Sequence, residues 1–270
     1  MFLHNYNPSP LIFSFSFIQI YWYGFFISIG ILAGLIIVLK LAEKYKINRD
    51  KFLNLGVYLV IFGLLGARIY SVILDFRYYL EYPINVFKIW QGGLAIHGAI
   101  IGGLVAGYIY AKKQKLNFRL VADISVVAVA LGQAIGRWGN YFNQEVFGKP
   151  TNLPWGIPIE KINRPDIYQS AQYFHPTFLY ESILNFINFL ILLFLHKKRL
   201  SKNKRSKFFA NGNIFLVYLI NYSLIRFAME FIRVDETLII LNFRLPQLLS
   251  VALFILSLIL LFINSKRNVK

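Results

Sequence analysis

The sequence contains no cysteine, and it has few acidic residues and histidines. Without cysteine, neither a disulfide framework nor a thiolate metal site is available. The four histidines, His4, His97, His175 and His196, lack the spacing of metal ligands, so we expect no metal and no cofactor. No lysine or arginine precedes the first apolar run, unlike the start of a cleaved signal peptide, so we expect this run to be retained as a helix.

The chain is rich in apolar and basic residues instead. Of its 270 residues, 57% are hydrophobic, 17% are aromatic and only 15% are charged, and the apolar residues form long blocks. This composition predicts an all-α polytopic membrane protein. The net charge of +17 does not indicate nucleic acid, because the basic residues lie in short connections between apolar blocks, where lipid headgroups and topology favour them. We expect membrane lipid, and no nucleic acid, among its partners.

Seven apolar segments have about the length that crosses a bilayer as a helix. Their predicted bounds are Ile18–Leu39, Phe52–Leu74, Leu94–Ala111, Leu120–Ile135, Thr177–Leu195, Ile214–Ile232 and Leu245–Ile263. No internal repeat and no separate soluble domain is evident in the sequence. It therefore predicts a single integral membrane domain over residues 1–270, working as a monomer.

The connections between these segments alternate between rich and poor in basic residues. Residues 40–51, 112–119, 197–207 and 266–270 hold 19 of the 29 lysines and arginines, the other connections hold nine, and Arg68 lies within the second segment. Because basic residues concentrate on the cytoplasmic side, the N-terminus is predicted outside and the C-terminus in the cytoplasm. The longest outer connection, residues 137–176, contains several prolines and is predicted to fold as an extracellular or periplasmic cap.

Polar residues are concentrated at the start of that connection, in the stretch GRWGNYFNQE from Gly136 to Glu145. If the fourth helix continues past Ile135, then Gln133, Arg137 and Asn140 share one helix face. Ionisable groups at membrane depth cost about 2.5 to 3.5 kcal/mol each on insertion scales, so they usually face a cavity or a partner. This stretch is the first candidate for a functional site.

The third segment begins with GGLAIHGAIIGG, in which Gly98 and Gly102, and Gly103 and Gly107, are four residues apart. Glycines with this spacing allow close packing of helices, which is the simplest interpretation. Among small neighbours, His97 has room for a ligand beside it. It is either a structural histidine or a candidate catalytic base.

The sixth segment adds Arg226, Glu230 and Arg233, which share a helix face. Arg226 and Glu230 either form a simple i, i+4 ion pair or belong to a site, and Arg68 with Asp75 presents the same alternative. Several arginines on the side that is poor in basic residues exceed what topology requires. An anionic ligand would explain them.

Other polar residues are placed to complete such a site. The carboxylates of Glu145, Glu181 and Glu230 are expected to orient the arginines, since paired contacts fix a guanidinium plane. Nearby arginines would keep these carboxylates ionised, so we do not expect them to act as acids or bases. Tyr23 is either an interfacial anchor or a phenol that faces the same cavity.

Five motifs in order resemble those of the prolipoprotein diacylglyceryl transferases of bacterial inner membranes. They are WYG at Trp22–Gly24, GGLAIHG at Gly92–Gly98, GRWGNYFNQE at Gly136–Glu145, HPTFLYE at His175–Glu181 and RFAMEFIR at Arg226–Arg233. The resemblance implies transfer of a diacylglyceryl group from phosphatidylglycerol to the lipobox cysteine thiol of a preprolipoprotein signal peptide. A thioether forms and glycerol phosphate is released. It also implies a multi-pass protein of the bacterial inner membrane, with its active site toward the outer leaflet.

The resemblance also implies roles for individual residues. His97 corresponds to the motif histidine, Arg137 and Asn140 to the signature pair, and Arg226 to the second essential arginine. The expected catalytic residues are thus His97, Arg137 and Arg226, and the substrate-binding residues are Tyr23, Arg68, Asn140, Glu145, Gly148, Glu181, Glu230 and Arg233. The sequence departs from the family pattern at Ala67 and Ala99, where glycine is common, and at Phe178, where glutamine is usual.

This chemistry agrees with the residues. Two guanidiniums directed at the phosphate would bind the anionic lipid and stabilise charge on the leaving oxygen. His97 is a candidate base for the thiol; alternatively, Arg137 and Arg226 lower the thiol pKa and His97 only positions the lipid. We expect the cavity to open sideways to the bilayer, to admit acyl chains. A small-anion transporter or channel and a structural assembly factor are the alternative functions.

Overall fold

The computed structural model describes residues 2–15, 18–201 and 207–267, which are mostly helical. The helices are α1 (Phe2–Asn5), α2 (Trp22–Lys44), α3 (Arg49–Leu74), α4 (Phe76–Glu81), α5 (Ile96–Lys113), α6 (Phe118–Phe142), α7 (Thr177–Leu200), α8 (Asn213–Glu230) and α9 (Leu245–Arg267). The strands are β1 (Leu11–Phe15), β2 (Ile18–Tyr21), β3 (Ile157–Pro158), β4 (Tyr173–Phe174), β5 (Ile239–Ile240) and β6 (Phe243–Arg244). They pair as three antiparallel hairpins, β1–β2, β3–β4 and β5–β6.

Each of the seven predicted segments overlaps one long helix. Within the described residues, five helices are long and apolar enough to cross a membrane, namely α2, α3, α6, α7 and α9. The chain is therefore a mostly helical, polytopic membrane protein. The first predicted segment began too early, because Ile18–Tyr21 pair with β1 as a strand. Of the predicted basic connections, Lys202, Lys204, Arg205 and Lys270 lie outside the described residues.

The chain divides into two compact units, one formed by residues 38–124 and the other by residues 1–37 with 125–270. In the 38–124 unit, α3 packs against α5 through glycines. A Cβ on Gly98 or Gly102 would meet the backbone of α3 at Gly66 or Phe62. This confirms the packing interpretation for those two glycines, whereas Gly103 has open space beside it.

In the other unit, α8 packs against both α7 and α9. Small residues bring α2 close to α6, because a Cβ on Gly34 would lie 2.9 Å from the Cβ of Ala128. The Ser182 hydroxyl of α7 donates to the carbonyl oxygen of Ala134 in α6 over 2.7 Å. Helix α6 carries Arg137 and Asn140, α7 carries Glu181, and α8 carries Arg226 and Glu230.

The connection after α6 folds around an apolar cluster of its own. Its buried members are Tyr141, Phe147, Ile157, Ile159, Phe174 and Phe178. The β3–β4 hairpin contributes to this cluster, and the N-terminal segment packs on it through the His4 ring, which stacks on Tyr173 at 4.0 Å. Residues 143–176, called the cap segment or cap below, therefore pack around an apolar cluster that also includes residues of α6 and α7.

Candidate functional site

A buried glutamate in α7 holds two arginines. Glu181, only 2% exposed, forms ion pairs with Arg137 of α6 at 2.5 Å and with Arg233, three residues beyond α8, at 3.2 Å. Arg233 also pairs with Asp235 at 2.6 Å. A buried carboxylate needs such partners, because an isolated buried charge is strongly unfavourable. Glu181 thus fixes α6, α7 and the end of α8 to one another.

A second buried glutamate repeats this arrangement. Glu230 of α8 forms ion pairs with Arg226 at 3.1 Å and with Arg244 of β6 at 2.9 Å. Arg226 also interacts electrostatically with Glu181 and Arg233, so the two arrangements belong to one network. The predicted i, i+4 pair of Arg226 and Glu230 is present, and it is part of a larger site rather than an isolated surface contact.

The arginines of this network differ in exposure. Arg233 is 9% exposed, whereas the side chains of Arg137, Arg226 and Arg244 are 25%, 22% and 20% exposed. Among the described residues, the Nε of Arg137 is buried without a hydrogen-bond partner. All three guanidinium nitrogens of Arg244 contact Glu230 or backbone carbonyl oxygens. Arg137 and Arg226 therefore keep surface that a ligand can contact, while Glu181 and Glu230 are buried.

Helix α6 continues past Ile135 to Phe142, and this extension places the signature residues. Arg137 donates to Asn140 Oδ1 at 3.3 Å, and the Asn140 amide donates to Glu145 Oε1 at 2.8 Å. Asn143 donates to the same oxygen at 3.4 Å. A hydrogen-bond chain thus leads from the guanidinium to the Glu145 carboxylate. Tyr23 lies close enough to interact electrostatically with both Glu145 and Arg137.

Gln144 faces the cap instead of the arginines. Its amide donates to the carbonyl oxygen of Pro8 at 2.8 Å, and its Oε1 accepts from the backbone N–H of Glu160 at 2.7 Å. Gln144 and Val146 have positive φ angles of 51° and 57°, which turn the chain sharply after α6. Gln144 therefore connects the N-terminal segment to the cap.

Gly148 lies where three chain segments cross. Its N–H donates to the carbonyl oxygen of His175 at 2.9 Å, and it forms an isolated bridge with Arg233. A Cβ here would lie 2.7 Å from the Cβ of His175 and 2.9 Å from side-chain carbons of Ile232 and Thr177. The structure thus gives Gly148 a packing role, holding the cap against the segment that carries Arg233.

His97 and Arg68 belong to the 38–124 unit. His97, in the first turn of α5, is exposed, and its ring lies 6.0 Å from that of Tyr70. Arg68 is 7% exposed and donates to the carbonyl oxygens of Asn85, Val86, Gly92 and Gly93. These backbone oxygens engage four of its five donors, and among the described residues no ion pair joins Arg68 to Asp75, the alternative left open by the sequence.

Gly93 explains how Arg68 reaches this loop. Gly93 has a φ of 69°, and a Cβ on it would lie 2.5 Å from the Arg68 Nη1 atom. The second glycine of GGLAIHG is thus required by the arginine that it faces. Arg68 fixes the loop that leads into α5 and hence the start of the helix that carries His97.

The HP motif contributes to the cap rather than to the ion pairs. The Nδ1 atom of His175 lies 3.3 Å from the Tyr180 hydroxyl, which accepts from Trp155 Nε1 at 2.8 Å. Burial lowers the pKa of His175 below its ordinary value. Phe178, in place of the usual glutamine, is 1% exposed and stacks on Tyr141 at 4.6 Å. The contact that this side chain makes with Tyr141 is therefore apolar.

The sequence over residues 10–263 matches a family model described as prolipoprotein diacylglyceryl transferase. The chain belongs to the prolipoprotein diacylglyceryl transferase family. A relative from Trichormus variabilis is 44% identical over 90% of this chain and 85% of its own length. One from Synechocystis sp. is 43% identical over 93% and 87%, and one from Bacillus velezensis is 36% identical over 96% and 93%. All three are named phosphatidylglycerol–prolipoprotein diacylglyceryl transferase.

The sequence did not point to two members of the ion-pair network in this member of the diacylglyceryl transferase family. Arg244 counted only as one basic residue of an outer connection, and Asp235 was not considered. Both follow the last motif, and Arg244 lies 14 positions beyond its partner Glu230. The available signal was the position of Arg244 immediately before an apolar helix, where an arginine needs a partner.

Proposed function

We propose that this chain transfers the diacylglyceryl group of phosphatidylglycerol to the lipobox cysteine of preprolipoproteins, the first step of bacterial lipoprotein maturation. The names of the relatives and the order of the five motifs support this reaction. The observation that carries it is the pair of partly exposed arginines, Arg137 and Arg226, each held from beneath by a buried glutamate. Guanidiniums fixed in this way suit a phosphate, which accepts two parallel hydrogen bonds.

The charges of the network favour an anion. The guanidiniums of Arg137, Arg226, Arg233 and Arg244 contact three carboxylates, those of Glu181, Glu230 and Asp235. These direct ion pairs therefore have one positive charge in excess, and Glu145 reaches Arg137 only through Asn140. A phosphodiester with a single negative charge would balance this excess charge in a region that is partly shielded from water.

The reaction forms a carbon–sulfur bond and breaks a carbon–oxygen bond. The cysteine sulfur attacks the carbon of the diacylglyceryl group that is bonded to a phosphate oxygen. The bond between that carbon and that oxygen breaks, and glycerol phosphate leaves with its electron pair. Arg137 and Arg226 would stabilise charge on the departing phosphate oxygen. The thiol must lose its proton, and we propose His97 as the general base. Tyr23, Asn140 and Glu145 would hold the orientation of Arg137 and the lipid headgroup.

Five residues act in this proposal by positioning others. Arg68 supports the loop that precedes His97, and Gly148 permits the close crossing beside Arg233. Glu181, Glu230 and Arg233 do not touch the substrate in this proposal. They contribute to substrate binding by fixing Arg137 and Arg226. We assign direct contact with the phosphate to Arg137 and Arg226 alone.

The finer topology is part of the same proposal. We propose seven spans, adding α5 and α8 to the five apolar helices, in a single bacterial inner-membrane domain that works as a monomer. The strict alternation of basic connections supports an external N-terminus, a cytoplasmic C-terminus and an external cap. Each outer motif then lies at the level of the outer leaflet.

The test is the mass of a lipobox peptide after incubation with the purified protein and phosphatidylglycerol. We expect a gain of one diacylglyceryl group, lost in Arg137→Ala. The control is Arg49→Ala, which removes an arginine that pairs with Glu43 on an exposed surface at 3.7 Å. A folded, lipid-bound protein that leaves the peptide unchanged would refute the transferase, and uptake of small anions by vesicles would then favour a transporter.

The base is tested separately. His97→Gln keeps the approximate size of the side chain but removes the imidazole that would accept the thiol proton. We expect transfer to fall sharply at every pH between about 6 and 8. Near-normal turnover across that range would assign the thiol proton to another acceptor and favour the arginines as the groups that lower the thiol pKa.

A further inference from the structure

Arg244 makes more contacts than a basic residue would need if it only set the membrane topology. Its Nε forms the ion pair with Glu230 Oε1 at 2.9 Å. Its Nη1 donates to the carbonyl oxygens of Arg233 at 2.5 Å and Glu230 at 3.4 Å, and its Nη2 donates to that of Asp235. The planar guanidinium thus binds a buried carboxylate and the backbone that follows α8 at the same time. A lysine ammonium has no such fork of donors.

The β5–β6 hairpin sets the position of this arginine. Ile239 pairs with Arg244 and Ile240 with Phe243, around a turn in which Leu241 and Asn242 have positive φ angles. The N–H of Arg244 donates to Gln247 Oε1 at 3.0 Å, in the first turn of α9. The backbone of Arg244 is therefore fixed on both sides, and its side chain is directed back to the end of α8.

This contact divides the two oxygens of Glu230 between two arginines. Oε1 pairs with Arg244 and Oε2 pairs with Arg226. A buried carboxylate with only Arg226 beside it would tend to bind that guanidinium through both oxygens, the favoured arrangement for such a pair. Arg244 prevents this, because it occupies the second oxygen.

We propose that Arg244 is a positioning residue that acts through Glu230. By holding one oxygen of Glu230, it limits Arg226 to a single-oxygen contact and leaves the remaining donors of Arg226 for the phosphate of the lipid. Arg244 also places a second positive charge beside the Glu230 carboxylate, which is 1% exposed. Glu230 and its two arginines together therefore carry a net charge of +1. This inference rests on the proposed transferase function.

The experiment compares Arg244→Ala and Arg244→Lys with the unchanged protein, measuring kcat and KM for phosphatidylglycerol. We expect Arg244→Ala to lower kcat/KM by roughly 10- to 100-fold, the usual effect of removing a group that orients a primary ligand. Arg244→Lys should recover part of this loss, because the charge returns without the fork. The control is Arg164→Ala, since Arg164 also donates to backbone carbonyls, those of Ile159 and Gln169 at 2.7 and 3.0 Å.

A double-mutant cycle with Glu230→Gln separates positioning from general stability. If Arg244 acts through Glu230, then Arg244→Ala should reduce kcat/KM by less than about threefold once Glu230 is already Gln. The inference would be overturned if the loss of kcat/KM in the double variant equalled the product of the two single losses. It would also be overturned if Arg164→Ala lost as much activity as Arg244→Ala.

The four proteins of this cycle are the unchanged protein, Arg244→Ala, Glu230→Gln and the double variant. They also distinguish this inference from the proposed function. If the unchanged protein transfers nothing, the proposed function fails, and the cycle is read from thermal unfolding midpoints instead. Midpoint shifts that are not additive would support the coupling of Arg244 to Glu230, and additive shifts would overturn it. The coupling and the reaction are therefore tested by separate readings.

Discussion

Replacing Glu181 with Gln tests whether a buried carboxylate holds the signature arginine. The substitution keeps the shape of the side chain and removes its charge, while Arg137 at 2.5 Å and Arg233 at 3.2 Å remain. Breaking a buried pair by removing one partner destabilises a protein by about 3 to 5 kcal/mol. Arg137 is one quarter exposed and can recover some hydration, so we place the loss at about 2 to 4 kcal/mol.

For a chain of this length, such a loss corresponds to a fall in unfolding midpoint of about 4 to 8 °C. We also expect kcat/KM for phosphatidylglycerol to fall by about 100-fold, because Arg137 loses the contact that orients it. The lipid phosphate can replace part of the missing charge. Phosphatidylglycerol should therefore raise the midpoint of the variant more than that of the unchanged protein.

The matched control is Glu43→Gln, which removes an exposed carboxylate that pairs with Arg49 at 3.7 Å. Exposed pairs contribute about 0 to 1 kcal/mol, so little change is expected. If Glu181→Gln shifts the midpoint no more than this control and keeps full transfer activity, then Glu181 does not hold Arg137, and our account of the site is wrong.

Three further predictions concern packing and pH. Gly148→Ala should destabilise the protein by about 1 to 3 kcal/mol, since its Cβ would overlap three neighbours, and limited proteolysis of the cap would detect it. Gly98→Ala should disrupt the α3–α5 crossing and lower the unfolding midpoint, whereas Gly103→Ala, with open space beside it, should leave the midpoint unchanged. Burial lowers the folded-state pKa of His175, so its stability contribution is present above the unfolded pKa of about 6.5 and is lost as pH falls toward the folded value. Unfolding midpoints measured from pH 7.5 down to pH 5.5 should therefore fall more steeply than in His175→Gln; equal slopes would contradict this.

The sequence was sufficient to predict the helices because long apolar runs have few alternatives in a membrane. It also indicated that a longer α6 would bring Arg137 and Asn140 to one face, and it left an Arg226–Glu230 ion pair as one of two interpretations. It expected Glu181 to orient arginines, and the contacts agree with all three. Local spacing was enough for the first two.

Contacts between distant residues could not be predicted in the same way. The partners of Arg68 are backbone oxygens in a loop of irregular shape, and no side-chain pattern records them. Arg244 reaches Glu230 only because a two-residue turn reverses the chain before α9. The early bound of the first segment failed for a related reason, since the apolar residues Ile18 and Ile20 suit a strand as well as a helix.

The two glutamates also determine when the site can assemble. Arg68 and its loop partners are within 25 positions of one another, so these contacts can form as soon as that part of the chain has been inserted. Glu181, in contrast, needs Arg233, which is 52 positions later in the chain, and Glu230 needs Arg244. Because synthesis proceeds from the N-terminus, both carboxylates are made before their last partners. A nascent chain that stops short of residue 244 would therefore carry the motif residues but not the completed ion pairs, and the β5–β6 hairpin would have to be made before the site is closed.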